Sequence, residues 1–432
     1  MTRPHVLISG ASIAGPSLAF WLSRYGWRTT VVERAPAFRE GGQNIDVRGA
    51  AREVLRRAGL EKAVKAATTG ELGTRFLGAG GAVVAEFPAT ASETSGATAE
   101  VEILRGDLSR ILVEATSDAG SGATRGTSGT SSTSAVAPSA GTTEYVFGDR
   151  ITGLDDTGDG VDVTFEHGEP RRFDLVIAAD GIGSSTRRLV FGDEAVVRPL
   201  GMEMTYLTIP RTESDVDWWR WYSEPGGLAV TLRPDRHGTT RAVLTSILYD
   251  DEATQRDSRR SPDEQRARLR DQFGSSGWEA PRVLDELDRA DDVYFESVGQ
   301  VHAPSWSRGR VALTGDAAWC ASPLSGMGTS LSLVGAYVLA GELAAHVDHR
   351  DAFAGYDRIM RPFVDQAQKL PPGVPRVANP RTRAGLAAFH TGLRVASSRV
   401  ASRLGAKLFS PPADKIALPD YAHLERSPQS SL

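Results

Sequence analysis

The sequence predicts an α/β protein: a parallel-sheet domain, an inserted mixed β-sheet domain and a C-terminal helical tail. Three observations carry that reading. Val6 to Glu33 reads as strand, glycine turn, helix and strand, ending in an acid. A second apolar strand, Val311 to Leu313, runs into Gly315-Asp316 and then a glycine-rich helix start. Between them, residues 200–300 hold several short strand-like runs.

Within the first stretch, Val6, Leu7 and Ile8 suit a buried parallel strand. Gly10 permits a sharp turn, Gly15 lets the helix pack close to the strand, and Pro16 falls in the first helical turn, where a missing N–H costs little. The N–H groups of Ser12, Ile13 and Ala14 would then face a pyrophosphate, helped by the helix dipole. Glu33 stands where a carboxylate accepts from ribose hydroxyls, so the adenosine half of a dinucleotide is the expected ligand. Ser12 replaces the middle glycine of the usual pattern, which narrows the turn and adds a hydroxyl.

A chain of 432 residues can hold two domains and a large core. A formal net charge of −5 argues against general nucleic-acid binding. The lone Cys320 excludes an intrachain disulfide, a C-x-x-C redox pair and a thiolate zinc cluster, and a reducing cytoplasm is the natural compartment. Gly10, Gly15 and Pro16 break the apolar N-terminus, so a strand is expected there and no signal peptide. No membrane-spanning run is expected.

Along the remaining chain, Gly41-Gly42 marks a turn and Ala50 to Ala58 a helix stopped by Gly59. Phe76-Leu77, Val83-Val84 and Val101 to Ile103 are expected strands, and Arg105 precedes a helix. Residues 117–143 are almost all Ser, Thr, Gly and Ala, a composition that buries no core, and are expected to form a floppy insertion. Glu144 to Phe173 suggests a small meander; Leu175 to Ala179 a buried parallel strand; Asp180-Gly181 then leads to a capped helical turn. If Asp217 to Tyr222 is a strand, Trp219 and Trp221 share one face, which either packs as core or lines a cavity for a flat ligand. Residues 262–290 suggest a charged helical stretch. Gly326-Met327-Gly328 opens a long helix with a stripe of Leu331, Val334, Val338 and Leu343, and its N-terminus makes a second anion site. His346 and His349 are expected at a helix C-terminus, with no metal site. Leu386, Phe389, Leu393, Ala396, Val400 and Leu404 form a stripe for a lid on the body, a dimer helix or a membrane-surface helix, the first being favoured.

These residues give the chain a specific resemblance. It resembles the single-component FAD monooxygenases of the para-hydroxybenzoate hydroxylase type, through the Gly10–Gly15 turn with Glu33, the segment DLVIAADGIGSSTRR, the segment RVALTGDAAWCASPLSGMGTSLSL, and Arg105 ahead of its helix. GGQNIDVRGAAREVLRRAGL is especially similar to the tetracycline-modifying members, whose acid matches Asp46. The resemblance implies a Rossmann-like FAD-binding domain over 1–75, 100–195 and 300–345, a substrate domain over 76–99 and 196–299, and a helical segment over 346–432. It further implies that Gly10, Ser12, Ile13, Ala14 and Gly15 hold the pyrophosphate, and Glu33 with Arg34 the ribose end. Arg105, Asp180 and Asp316 would contact the cofactor, Asp46 with Arg48 would either face the flavin or form a loop salt bridge, and Gly326, Met327 and Gly328 would present N–H groups to the flavin ring. Trp319 stands where the family usually has histidine, so no role of that histidine transfers.

The chemistry implied is NADPH- or NADH-driven reduction of FAD, then hydroxylation of an aromatic or polyketide-like molecule by O2 through a C4a-hydroperoxyflavin. Arg39 is a candidate NAD(P)H contact, with a surface arginine as the alternative; Trp219 and Trp221 are candidate substrate contacts. No catalytic acid or base is identifiable. A flavin oxidase or reductase on the same scaffold, or a non-catalytic nucleotide-binding protein, would share these motifs, and either a monomer or a homodimer is compatible with them. Deleting Ser121 to Ser139 is expected to leave flavin content and melting temperature unchanged, because a Ser/Thr/Gly coil contributes no burial. Flavin absorbance and calorimetry check this, and a loss of either would show that the segment packs.

Overall fold

The structure is a computed structural model that describes residues 4–38, 41–89, 101–120, 141–248, 260–371, 373–398 and 416–425. In chain order, β1 (His5–Ser9), α1 (Ala14–Arg24) and β2 (Arg28–Glu33) form the opening unit, followed by α2 (Ala50–Ala58). Gly59 ends α2 in the left-handed conformation, as its position after the apolar stripe predicts. The hairpin β3 (Gly73–Leu77) and β4 (Val83–Pro88) precedes α3 (Arg105–Gly120). Next come β5 (Thr143–Phe147), β6 (Leu175–Ala178) and α4 (Ser185–Phe191). Four long strands follow: β7 (Val196–Pro210), β8 (Trp219–Glu224), β9 (Leu228–Pro234) and β10 (Thr239–Ile247). Then come α5 (Pro262–Phe273), α6 (Ala280–Glu286), β11 (Tyr294–His302), β12 (Ser307–Arg308) and β13 (Val311–Leu313). The chain continues through α7 (Asp316–Trp319), α8 (Gly328–Ala345), α9 (His349–Ala367), α10 (Val374–Ala378) and α11 (Arg383–Ala396).

Six strands form one sheet in the order β12-β13-β6-β1-β2-β5, parallel except for β12. Alternate residues serve its two faces. Val6, Ile8, Val31 and Ile177 point into the helical side, where α1 and α8 pack, while Leu7, Val32, Val176 and Val311 meet Ile151, Val163 and Phe173 on the other. That second face is covered by a three-stranded antiparallel meander, Ile151–Asp156, Val161–Phe165 and Arg171–Phe173. The meander expected over 144–173 therefore loses its first strand, because β5 pairs parallel with β2 in the main sheet. The expected insertion also narrows: α3 runs to Gly120 and β5 starts at Thr143, while 121–140 lie outside the described residues.

A seven-stranded mixed sheet has the order β11-β7-β10-β9-β8-β3-β4, with β8 and β3 parallel. Its outer face buries Leu207, Ile209, Val230 and Leu244 against Leu269, Phe273 and Val283 of α5 and α6. The charged stretch at 262–290 is thus two helices with an apolar underside, the first opened by a capping box of Ser261 and Glu264.

Helix α8 departs from the expected single stripe. It is buried on all sides, with Leu331, Leu333, Val334, Tyr337 and Leu339 all enclosed. It is long and apolar enough to cross a membrane, and 78% of it lies inside the protein. Trp21 of α1 meets Tyr337 edge-on at 4.9 Å. The helix is interrupted at 346–348, so His346 caps α8 as expected, but His349 opens α9 and does not end a helix. On α11, Phe389 packs edge-on against Phe76 at 6.1 Å, so its stripe faces the body; Val400 and Leu404 lie outside the described residues.

Trp306, Trp319 and Tyr356 form a buried cage, with the two indoles 4.5 Å apart and the Arg361 guanidinium 3.7 Å from the Trp306 ring. The Tyr356 hydroxyl donates to Leu313 O at 3.1 Å, tying α9 to β13. Trp306→Ala is expected to destabilise the fold by about 3–5 kcal/mol, the usual result of emptying a large buried ring. A urea or thermal melt checks this, with loss of under about 1 kcal/mol as the contrary outcome.

Candidate functional site

The site is built where two glycine turns touch. Gly10 has φ +107°, and a Cβ there would lie 2.5 Å from Ala179 O. A Cβ on Gly15 would sit 1.9 Å from Gly10 O, and one on Gly315 2.8 Å from the Ala14 Cβ. Only hydrogen fits at these positions, so β1, α1 and the Gly315-Asp316 turn close on one another. As a result α1 and α8 begin at the same cleft. Neither has a cap residue whose side chain bonds its N-terminus or an acid in its first turn, which leaves N–H groups of Ile13, Ala14 and Gly328 at or near free helix ends, while the Met327 N–H donates to Ser325 Oγ at 3.2 Å. Gly326 has φ +61°, with open space where a Cβ would stand, and Met327 is fully buried beneath it.

Arg105 is the cation of this cleft. Its Nε donates to Ser12 Oγ at 3.0 Å, so the serine in place of the middle glycine is used to aim a guanidinium. Its backbone N–H donates to Gln43 O at 3.0 Å, and a Cβ on Gly42 would stand 3.2 Å from its own Cβ. Asp316 lies close by: a Cβ on Gly328 would come within 3.9 Å of its Oδ1. Burial raises the Asp316 carboxyl pKa, and Arg105 opposes the rise.

The other expected contacts divide by what already holds them. Glu33 accepts from Ala11 N and Ala35 N, each at 2.9 Å, and so shapes the turn at the end of β2. Arg34 beside it is exposed. Both Asp180 oxygens are engaged by the start of α4: Ser184 Oγ on one, Thr186 Oγ1 at 3.0 Å and Thr186 N at 3.3 Å on the other. Asp46 pairs with Arg48 at 2.9 Å, while its Oδ1 is buried without a hydrogen-bond partner. Arg39 lies outside the described residues.

Trp219 and Trp221 do share a face of β8, with ring centroids 5.1 Å apart, and Trp221 stacks on Phe76 at 5.7 Å. Both indole N–H groups are buried without acceptors. The Arg233 guanidinium lies 4.2 Å from the Trp219 ring and is held by Glu71 at 2.9 Å and by Glu102. Glu102 pairs across a short ladder with Asp46 and lies three residues before Arg105, so this cluster joins the tryptophan face to the cleft.

Sequence reasoning missed Glu71, Glu102, Arg233 and Glu296. Glu296 sits on the face of β11 that carries buried Val298, two residues on. A carboxylate at an inward position of an alternating strand was the available signal. Trp319, by contrast, packs in the aromatic cage, and a Cβ on Gly335 would lie 2.7 Å from its ring.

Two free helix N-termini, a guanidinium, a hydroxyl and a carboxylate in one cleft fit the phosphates and polyol of FAD. Arg105→Ala and Asp316→Ala are each expected to weaken FAD binding by about 1.5–3 kcal/mol, roughly ten- to a hundred-fold. Flavin fluorescence on dilution checks this, and wild-type affinity in both variants would remove the cleft from consideration.

The FAD binding domain family matches residues 3–369 of this chain. An uncharacterized protein of Mycobacterium tuberculosis is 39% identical over 84% of this chain and 92% of its own length. A flavin-dependent monooxygenase of a Phoma species is 34% identical over 99% of this chain and 100% of its own. Among solved structures, tetracycline destructase Tet(55) superposes with a TM-score of 0.74 at 31% identity, covering 97% of this chain and 99% of that one. The cofactor is FAD, and the chain belongs to the FAD-binding-domain family of flavin-dependent monooxygenases.

Proposed function

We propose that this protein hydroxylates an aromatic or polyketide-like small molecule, using NADPH or NADH as reductant. The observation that carries the reading is the convergence of both free helix ends with Arg105 and Asp316, linked through Glu102 and Arg233 to the Trp219–Trp221 face. When bound and reduced, the flavin activates O2 and inserts one oxygen atom, the other leaving as water. The protein's part is placement and charge. Gly10 to Gly15 and Arg105 hold the phosphates, Asp316 the ribitol, and the N-terminus of α8 favours negative charge on the flavin ring. Asp180 and Glu33 act through the turns they brace.

Trp219 and Trp221 support a flat substrate because the two partly exposed rings lie side by side on one face of the sheet. The similarity to a tetracycline destructase supports a fused-ring polyketide class. For the reductant, an open groove of about 910 Å³ runs past Gly41, Arg110, Arg211, His237 and Arg289; Asp107, Glu286, Asp291 and Asp292 line it too, several of them paired with these cations, so size and position, not net charge, support transient docking of a dinucleotide there. Phe38 and Gly41, the described residues either side of Arg39, both line it.

A screen of phenolic and polyketide compounds for stimulated NAD(P)H oxidation identifies the substrate class. With heavy O2, the product is then expected to carry one labelled oxygen; unlabelled product, or oxygen from water, would assign an oxidase or dehydrogenase instead. Trp219→Ala or Trp221→Ala is expected to keep FAD and to raise the KM for substrate roughly ten-fold, as lost ring stacking does.

A further inference from the structure

The open groove shares a wall with the cofactor cleft. Gly106 and Asp107 line it, directly after Arg105, whose Nε donates to Ser12 Oγ in the pyrophosphate turn at 3.0 Å. Further walls come from the β9–β10 turn and the loop after α6, and Gly41 meets that loop: a Cβ there would stand 3.2 Å from Asp292 Oδ2. Four arginines and four acids line the groove, and each arginine is already engaged. Arg110 bridges Asp107 at 3.5 Å and Glu114 at 3.1 Å. Arg241 lies between Asp235 at 3.1 Å and Asp292 at 3.4 Å. Arg211 pairs with Asp217 at 2.7 Å, and Arg289 with Glu286 at 2.8 Å. His237 Nε2 is 3.1 Å from the same Asp107 carboxylate. Glu114, Asp217 and Asp235 stand behind the lining, so acids outnumber arginines. Arg39 and Glu40, outside the described residues, add one charge of each sign. One lining acid differs from the rest. Asp291 is exposed in the groove and has no hydrogen bond or ion pair among the described residues.

We propose that this groove selects NADH over NADPH, and that Asp291 is the residue that discriminates. The inference rests on the docking of the reductant in this groove. The two coenzymes differ at one ribose position, which carries a hydroxyl in NADH and a phosphate ester in NADPH. A carboxylate without a partner accepts from ribose hydroxyls. A phosphate ester of about −1.5 to −2 charge requires a guanidinium, and here it must draw one away from a carboxylate. Asp107 is 6% exposed and Asp235 fully enclosed, so taking Arg110 or Arg241 strands a buried acid beside an added anion. The exposed pair of Arg289 and Glu286 parts more easily, but the phosphate then meets one cation against Glu286 and Asp291. The same charges that exclude the phosphate leave the diol a free acceptor.

The test is anaerobic bleaching of the flavin in the holoenzyme, followed by stopped-flow absorbance over a range of NADH and NADPH concentrations. The half-saturating concentration is expected to be roughly ten-fold lower for NADH in wild type. Asp291→Asn, which removes the charge and weakens the diol contact, should shrink that ratio about three- to ten-fold. Glu286→Gln, which releases Arg289, should shrink it by improving NADPH. Equal or tighter use of NADPH by wild type, or an unchanged ratio in both variants, overturns the proposal. Ala290→Trp, which fills the groove, separates the two failures. Unchanged half-saturation by both coenzymes there rejects docking in the groove, and the proposal with it. Weakened use of both, without a wild-type preference for NADH, rejects the discrimination alone.

Discussion

The architecture depends on a close approach that leaves room only for hydrogen. Gly15 sits against the Gly10 carbonyl, and Gly315 against Ala14. A methyl group at any of these glycines would force backbone apart at the centre of the molecule. Because the turns touch, β1 and β13 end at the same level, on either side of β6, and the helices that follow them start at a common point. The alignment of two dipoles on one cleft is thus a steric result first and an electrostatic one second.

Around that point the charges are few and each is held by neighbours. Arg105 is aimed by Ser12 and backed by Gly42, so its position is set before any ligand arrives. Another partly buried cation, Arg233, cross-links Glu71 and Glu102 and lies over Trp219. It fixes the mixed sheet to the strand that leads into Arg105. Separating such a pair would leave uncompensated charge in the interior, so the mixed sheet and the short ladder of Glu102 are held together by a penalty as much as by an attraction.

Much of this was legible in the chain. The glycine turn, α2 with its Gly59 stop, the buried β6 and the strands over 200–248 follow from period and punctuation alone. What was not legible came from partners remote in sequence. β5 looked like part of a meander because nothing local says that it pairs parallel with β2. Helix α8 showed one stripe because the sequence cannot announce that α1, α9 and the segment around Tyr421 enclose it from other sides. The bonds by which Asp180 and Glu33 brace neighbouring turns appear only in three dimensions. Glu71, Glu102 and Arg233 are spread over 163 residues and become one cluster only after folding.

Helix α8 also bears on how the chain is made. It emerges from the ribosome after more than three hundred residues, as an 18-residue apolar segment that by composition alone could enter a bilayer. By then β1, α1, β2 and β6 have been synthesised and can present the surface it covers, so N-to-C synthesis provides a receiving site before the risk appears. A circular permutant beginning near Gly328 would reverse that order. The same native contacts would be available, but the apolar helix would wait unprotected for the sheet that should bury it, exposed to membrane targeting and aggregation.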